Sequence, residues 1–195
     1  MPNIQSIVDR RSTIVKKGFT LIELLIVISI IGILASLTLA SFGSAQAKAR
    51  DGVRKSDLAQ VKRALELAKA DCEGNAYYPY IGDSSSLGNA QTNYTGLMTY
   101  LTNSAWGNNK YLSSAITDPS NGATQIYSYF TTATNANKCA DILGAFTQGG
   151  AIDYVLAVQL ERVSDKGAAD SRTKCAGKIG TGIWNVAGYY VTCNN

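Results

Sequence analysis

The sequence predicts an α+β protein in which one long N-terminal α-helix packs on a small antiparallel β-sheet. Three observations predict it. No proline interrupts residues 19–71. Apolar residues recur every three or four positions in the second half of that stretch, as on one helix face. Between Ala151 and Glu161 they alternate instead, as in a strand. A helix of roughly 50 residues would be about 75–80 Å long.

Composition argues against an enzyme. The chain has 195 residues, 46% of them hydrophobic, which fits one modest domain plus one apolar segment. It contains no histidine, so catalysis by an imidazole base and histidine-ligated zinc or iron are excluded. No other catalytic constellation stands out. We therefore expect a structural or binding protein without catalytic residues, cofactor or small-molecule substrate.

The first element is an apolar segment, residues 19–40, behind a basic leader. About 20 apolar residues span a bilayer as a helix, and the basic flank favours a cytoplasmic N-terminus. An ordinary signal peptide cleaved after Ala40 and a simple membrane anchor are both possible. Neither accounts for Glu23, the single charge inside the apolar run, because an unpaired acid is costly in lipid.

The residues Lys17-Gly18-Phe19-Thr20-Leu21-Ile22-Glu23-Leu24-Leu25 form a motif. This motif closely resembles the class III signal of type IV prepilins and type II secretion pseudopilins. The resemblance implies that a prepilin peptidase cuts between Gly18 and Phe19 and N-methylates Phe19. It also implies that Glu23 pairs with the terminal amine of a neighbouring subunit. Such a buried pair specifies register, because a misplaced subunit would leave one charge unpaired.

The resemblance divides the chain into three parts. Residues 1–18 are a cleaved leader, and residues 19–44 are a helix that spans the membrane and later forms the filament core. Residues 45–195 are a globular head that includes the amphipathic half of the long helix. The fold implied is the type IV pilin fold.

The second half of the helix carries an apolar stripe and many basic residues. The stripe contains Leu58, Val61, Leu65, Ala68 and Cys72. The basic run from Lys48 to Lys69 is either a solvated helix face or a surface for DNA or anionic lipid. No aromatic residues interleave these charges, which favours the solvated face.

The head contains the remaining elements. The helix exit lies at Asp71–Pro79, where glycine, asparagine and proline break the pattern. We predict a loop at 82–93, a short helix at 97–105, strands at 126–130 and 151–161, a long loop at 163–182, and a final strand or hairpin at 184–193 with its turn near Ala187-Gly188. In the second strand, Ile152, Tyr154, Leu156, Val158 and Leu160 are predicted to share one face.

Four cysteines, Cys72, Cys139, Cys175 and Cys193, form no closely spaced metal-binding pair. With an export signal, an even number predicts two disulfides. Three pairings are possible. Joining Cys175 to Cys193 and Cys72 to Cys139 is preferred, since it ties the long loop to the last strand.

Metal binding is not expected. Some relatives bind calcium in an acidic C-terminal loop, but Asp165 and Asp170 are the only nearby candidates here. Asp153 and Glu161 belong to a strand, and calcium requires six or more oxygen ligands.

The function implied is a structural subunit of a type IV pilus, for adhesion, motility or DNA uptake. The alternatives are a pseudopilin of a type II secretion or competence system, and a membrane-anchored binding domain that does not polymerise. The implied partners are other pilin subunits, the prepilin peptidase, an inner-membrane assembly platform and membrane lipid, with DNA or surface ligands as further candidates. The chain would be a single-pass protein of the cytoplasmic membrane with its head outside, then part of an extracellular pilus.

Overall fold

The computed structural model describes residues 18–71, 78–82, 86–102, 110–120, 127–135, 150–178 and 184–194. The chain divides between residues 43 and 44 into two compact units, each described here by itself. The elements are α1 (Leu21–Ala70), α2 (Leu87–Thr102), β1 (Tyr127–Asn135), β2 (Gly150–Gln159), α3 (Lys166–Lys174) and β3 (Tyr189–Cys193). The predicted α+β class, with one long helix and a small antiparallel sheet, is confirmed.

The first unit contains the apolar part of α1. Within the described residues, α1 is the one helix long and apolar enough to cross a membrane. Its large apolar side chains, from Leu21 at 87% to Ile26 at 51%, are all more than half exposed. Because no side of this segment is covered by its own unit, it needs lipid or another chain around it.

The second unit is built on a three-stranded antiparallel sheet with the order β1-β2-β3. Leu156 of the central strand lies opposite Tyr129 of β1 and Thr192 of β3. Every residue from Tyr154 to Val158 is buried. The strand is therefore covered on both faces, whereas the sequence pattern indicated one apolar face only.

One face of the sheet packs with the helical stripe of α1. Leu58, Val61, Leu65 and Ala68 are fully buried, in one cluster with Tyr154, Leu156, Val158 and Leu160. Of the five alternating β2 residues predicted to share one face, Ile152 alone is outside the core, since it is 52% exposed. The pairing of β2 with β3 begins at Val155, after Ile152, so no residue of β3 lies beside Ile152. The other face carries Phe130, Val155, Val191 and the buried Trp184.

The helix α2 corrects two predictions, the loop at 82–93 and the short helix at 97–105. The helix begins earlier, at Leu87, where the Ser86 hydroxyl accepts a hydrogen bond from Asn89 N at 3.2 Å. This is the bond of an N-terminal cap. Burial then recurs at helical spacing, at Ala90, Tyr94, Leu97, Met98 and Leu101.

The predicted loop at 163–182 contains a helix. Asp165 caps α3, because its carboxylate accepts a hydrogen bond from Ala168 N at 3.0 Å. The predicted turn before the last strand is confirmed at Ala187-Gly188, where Gly188 has φ of +92°. That conformation is favourable for glycine only.

Candidate assembly site

The start of α1 is organised by reciprocal hydrogen bonds between Thr20 and Glu23. Both the backbone nitrogen and the hydroxyl of Thr20 donate to Glu23 Oε2, each at 2.8 Å. Glu23 N donates to the Thr20 hydroxyl oxygen at 3.2 Å. This is a capping box, in which a threonine and a glutamate three residues later satisfy each other's free backbone donors. The signal for it is present in the sequence, where Thr20 precedes Glu23 by three residues.

The capping box fixes the position of the Glu23 carboxylate. It lies at the N-terminal end of α1, which favours a negative charge, one turn from Phe19, itself 93% exposed. Both bonds from Thr20 go to Oε2. Oε1 accepts no hydrogen bond within the described part of the chain, and a carboxylate has room for several donors. Glu23 can therefore keep its cap and still receive a cation.

The polar side chains that follow in α1 are turned back on their own helix. The hydroxyls of Ser29, Ser36 and Thr38 donate to the carbonyls of Leu25 at 2.7 Å, Ile33 at 2.7 Å and Ala35 at 2.9 Å. A hydroxyl bonded in this way needs no water. The segment between Leu21 and Phe42 is thus compatible with apolar surroundings on every side.

In the second unit, α1 is fixed by a buried ionic cluster around Arg54. The Arg54 side chain is fully buried and contacts three carboxylates. Its Nε donates to Asp118 at 2.8 Å, and its Nη1 lies 3.0 Å from both Asp51 and Glu161. Asp51 also accepts from the backbone nitrogens of Glu161 at 2.9 Å and Arg162 at 3.1 Å. The cluster joins α1 to the turn at 118–120 and to the end of β2.

Hydrogen bonding lowers the pKa of two of these carboxylates, Glu161 and Asp118. The two 2.6 Å bonds from Arg50, opposed by partial burial and assisted by Arg54, lower the pKa of Glu161 to about 2. Burial alone would raise the pKa of Asp118, but hydrogen bonds from Arg54 and Ser120 lower it below its usual value. Glu161 and Asp118 are consequently both charged at neutral pH.

We expect the stability of the second unit to fall in acid. A carboxyl whose pKa is lowered by folding stabilises the fold above its unfolded pKa, and this contribution is lost as pH falls through the folded value. For Glu161 the window runs from about pH 4.5 down to about pH 2. Thermal unfolding followed by circular dichroism between pH 7 and pH 2 measures it. Glu161→Gln should flatten the curve in this window, and an unchanged slope would contradict the assignment.

Three of the four carboxylates that the sequence offered for calcium have cationic partners. Asp165 Oδ1 accepts from Lys55 Nζ at 2.7 Å while capping α3, and Asp153 accepts from Lys178 at 2.7 Å. Glu161 belongs to the Arg54 cluster, and Asp170 is exposed on α3. Over the described ranges, no group of three or more His, Cys, Asp or Glu side chains is placed so that it could hold a metal ion.

The basic run of α1 is not simply a solvated face, and that prediction is wrong for several of its members. Arg54 is buried, Arg50 binds Glu161, and Lys55 binds Asp165. Lys62 Nζ donates to the carbonyl oxygen of Cys193 at 2.8 Å. These cations hold the sheet and α3 to the helix. Their acceptors are distant in sequence, so the pattern of charges along α1 could not reveal them.

A disulfide joins Cys175, directly after α3, to Cys193 at the end of β3. This is the preferred pairing of the sequence analysis. Cys72 and Cys139 lie outside the described residues, so their predicted pairing stays a prediction.

One family model and several curated proteins match the chain. Residues 15–39 match the model of the prokaryotic N-terminal methylation motif. The chain is 41% identical over 69 residues to a type IV major fimbrial protein FimA of Dichelobacter nodosus, covering 34% of this chain but 43% of that protein. It is 34% identical over 111 residues to the type II secretion system core protein G of Escherichia coli K12, covering 52% of this chain and 74% of that protein. The chain thus spans less than half the length of the fimbrial relatives. No solved structure matches.

Proposed function

The chain belongs to the family of type IV pilins and type II secretion pseudopilins, and from this premise we propose that it is a structural subunit of a type IV pilus. The observation that carries the proposal is the geometry of Glu23. Among the described residues, one oxygen of its carboxylate has no partner, and the carboxylate lies one turn from Phe19 in an exposed apolar helix. Such a charge is tolerated in apolar surroundings when it has a cationic partner.

Processing creates that partner. A prepilin peptidase cuts after Gly18, removes the leader of residues 1–18 and methylates the new amine of Phe19. The methylation motif at residues 15–39 supports this step. The amine of one subunit then pairs with Glu23 of another, whose capping box leaves Oε1 available. Residues 19–44 lie in the cytoplasmic membrane first and in the filament core afterwards.

Burial of the apolar segment drives the assembly, and the ion pair selects its register. The side chains from Leu21 to Phe42 are covered by lipid before assembly and by other copies of the same segment afterwards. Apolar helices alone can pack at many different axial offsets. A buried ion pair allows one offset only, because any other offset leaves both charges unpaired. The head, residues 45–195, remains outside for adhesion, motility or DNA uptake, and an inner-membrane platform adds subunits.

A second candidate is a pseudopilin of a secretion or competence system. The match to core protein G favours it, because the aligned region covers 74% of that protein, against 43% of the fimbrial protein. A pseudopilin would have the same processing and the same use of Glu23, but would form a short fibre in the cell envelope.

Intact mass spectrometry of sheared surface filaments tests the proposal. We expect an abundant species that begins with N-methylated Phe19. The same species confined to the membrane fraction would instead establish the pseudopilin. A chain beginning at Ser41 would contradict both, because its assembly helix would be missing.

Gly18 offers a matched control for processing. A Cβ atom added at Gly18 meets no atom of the described residues within 4 Å, so we expect Gly18→Val to leave the fold intact. We expect this variant to keep its leader and to be absent from filaments. Normal processing of Gly18→Val would contradict a cut at this bond.

A further inference from the structure

Within the described residues, the strand β3 lies at the edge of the sheet, and side chains bond to three of its outward backbone groups. Tyr189 O accepts from Arg172 Nη1 at 2.8 Å, and Val191 N donates to Ser171 Oγ at 3.1 Å. Cys193 O accepts from Lys62 Nζ at 2.8 Å. The backbone N–H and C=O groups of these alternate residues point away from β2. A further strand would form its hydrogen bonds with these groups. Two of the three bonds come from α3.

The helix that supplies these bonds is held by few contacts. The nine residues of α3 are too few for a helix that is stable by itself. Only Ala168 and Ser171 within it are buried, so little apolar area fixes it to the sheet. Its first turn is held by the bond between Asp165 and Lys55, and its end by the disulfide between Cys175 and Cys193. The disulfide is the one covalent tie between α3 and the strand it covers.

The sequence of β3 is typical of an edge strand that pairs with another copy of itself. The residues Tyr189-Tyr190-Val191-Thr192-Cys193 contain no charge and no proline, and β-branched and aromatic types predominate. Exposed edges of this kind pair with other strands. Two identical strands can pair antiparallel about a twofold axis, which makes a second copy of the chain the natural partner.

We propose that α3 is a removable cover of the sheet edge, held in place by Cys175–Cys193, and that without this disulfide β3 pairs antiparallel with β3 of a second copy. Closing the disulfide after export thus prevents the heads from joining edge to edge. This inference does not depend on how the N-terminal helix assembles.

The full chain in mild detergent micelles tests the proposal, comparing wild type with the double variant Cys175→Ser/Cys193→Ser. At low protein concentration, the amides of α3 and of Val191 should exchange with deuterium at least about tenfold faster in the variant, because local opening governs this exchange. At higher concentration, light scattering should show dimers beyond the wild-type level, and the Val191 amide should become protected again. Unchanged exchange at α3, or no added association at any concentration, would overturn the proposal.

Two further variants separate edge pairing from general instability. Leu97→Ala removes a buried side chain of α2, which packs on β1, the strand at the opposite edge. It should destabilise the fold without dimerisation. Adding Thr192→Lys to the double serine variant places like charges across the paired strands. It should abolish dimers while the Val191 amide stays fast. Dimers from Leu97→Ala, or dimers that persist with Thr192→Lys, would show that another surface associates and would overturn the inference.

Discussion

Replacing Glu23 with alanine is expected to reduce the amount of this subunit in filaments by about 10²–10³-fold. The reason is the amine of the neighbouring Phe19, which would be buried in the filament core without a counter-charge, and leaving one member of a buried pair is strongly unfavourable. The apolar surface that drives association is unchanged. Sheared filaments and membranes are compared by quantitative mass spectrometry, with the membrane pool as the reference for expression.

The control variants distinguish the charge from the helix cap, because Glu23→Ala removes both. Glu23→Gln keeps an acceptor for the Thr20 bonds but loses the charge, and we expect it to behave like alanine. Thr20→Val keeps the carboxylate and removes the hydroxyl that bonds Glu23, which costs about 0.5–2 kcal/mol of helix stability. Its loss of assembly should be much smaller. Wild-type assembly of Glu23→Gln would contradict the pairing.

Processing must be checked in the same samples. Each variant should still yield a membrane-bound chain that begins with methylated Phe19, because Glu23 lies beyond the cut. If Glu23→Ala retained its leader, the loss of filaments would reflect failed cleavage rather than failed docking.

The sequence predicted elements whose signals are periodic and long. The stripe of Leu58, Val61, Leu65 and Ala68 repeats along one helix, and all four are buried. The alternation in β2 located that strand, but Val155 and Ala157 are buried as well. A second covered face comes from residues elsewhere in the chain, such as Trp184, which no local pattern contains.

The early start of α2 and the unpredicted helix α3 show where local signals mislead. Glycine, serine and asparagine around Gly88 and Asn89 indicated a loop, yet Ser86 is the N-terminal cap of α2. The segment containing α3 is almost wholly polar and indicated a loop for the same reason. Its helix depends on the Asp165 cap and on tertiary bonds from Ser171 and Arg172 to β3. Helix propensity predicts secondary structure poorly where such tertiary contacts determine it.

The same contrast applies to the candidate site. Glu23 was conspicuous because a charge stands alone in an apolar run. Arg54 was not, because it is one of many cations along α1. Its partners Asp118 and Glu161 lie 64 and 107 positions away in the sequence. The burial of Arg54 follows only from the fold that brings Asp118 and Glu161 to the helix face where Asp51 already lies.

Replacing Arg54 with methionine is expected to destabilise the second unit by about 3–5 kcal/mol, the usual cost of removing one member of a buried ionic cluster. Methionine retains an apolar stem but no donor, so Asp51, Asp118 and Glu161 would face each other without their shared cation. Urea unfolding of the full chain in mild detergent, followed by tryptophan fluorescence through the buried Trp184, measures the change. The matched control is Arg50→Met, which removes a cation whose side chain is 35% exposed and should cost far less.

The pH dependence of this penalty identifies its cause. Without Arg54, the pKa of Asp118 and of Glu161 rises toward ordinary values, since hydrogen bonds from Arg54 help to lower both. The variant therefore has less stability to lose as these groups take up protons, and its deficit against wild type should shrink between about pH 4.5 and about pH 2. A deficit that stays constant across this range would mean that Arg54 acts through packing of its stem, and that its charge does not hold α1 to the sheet.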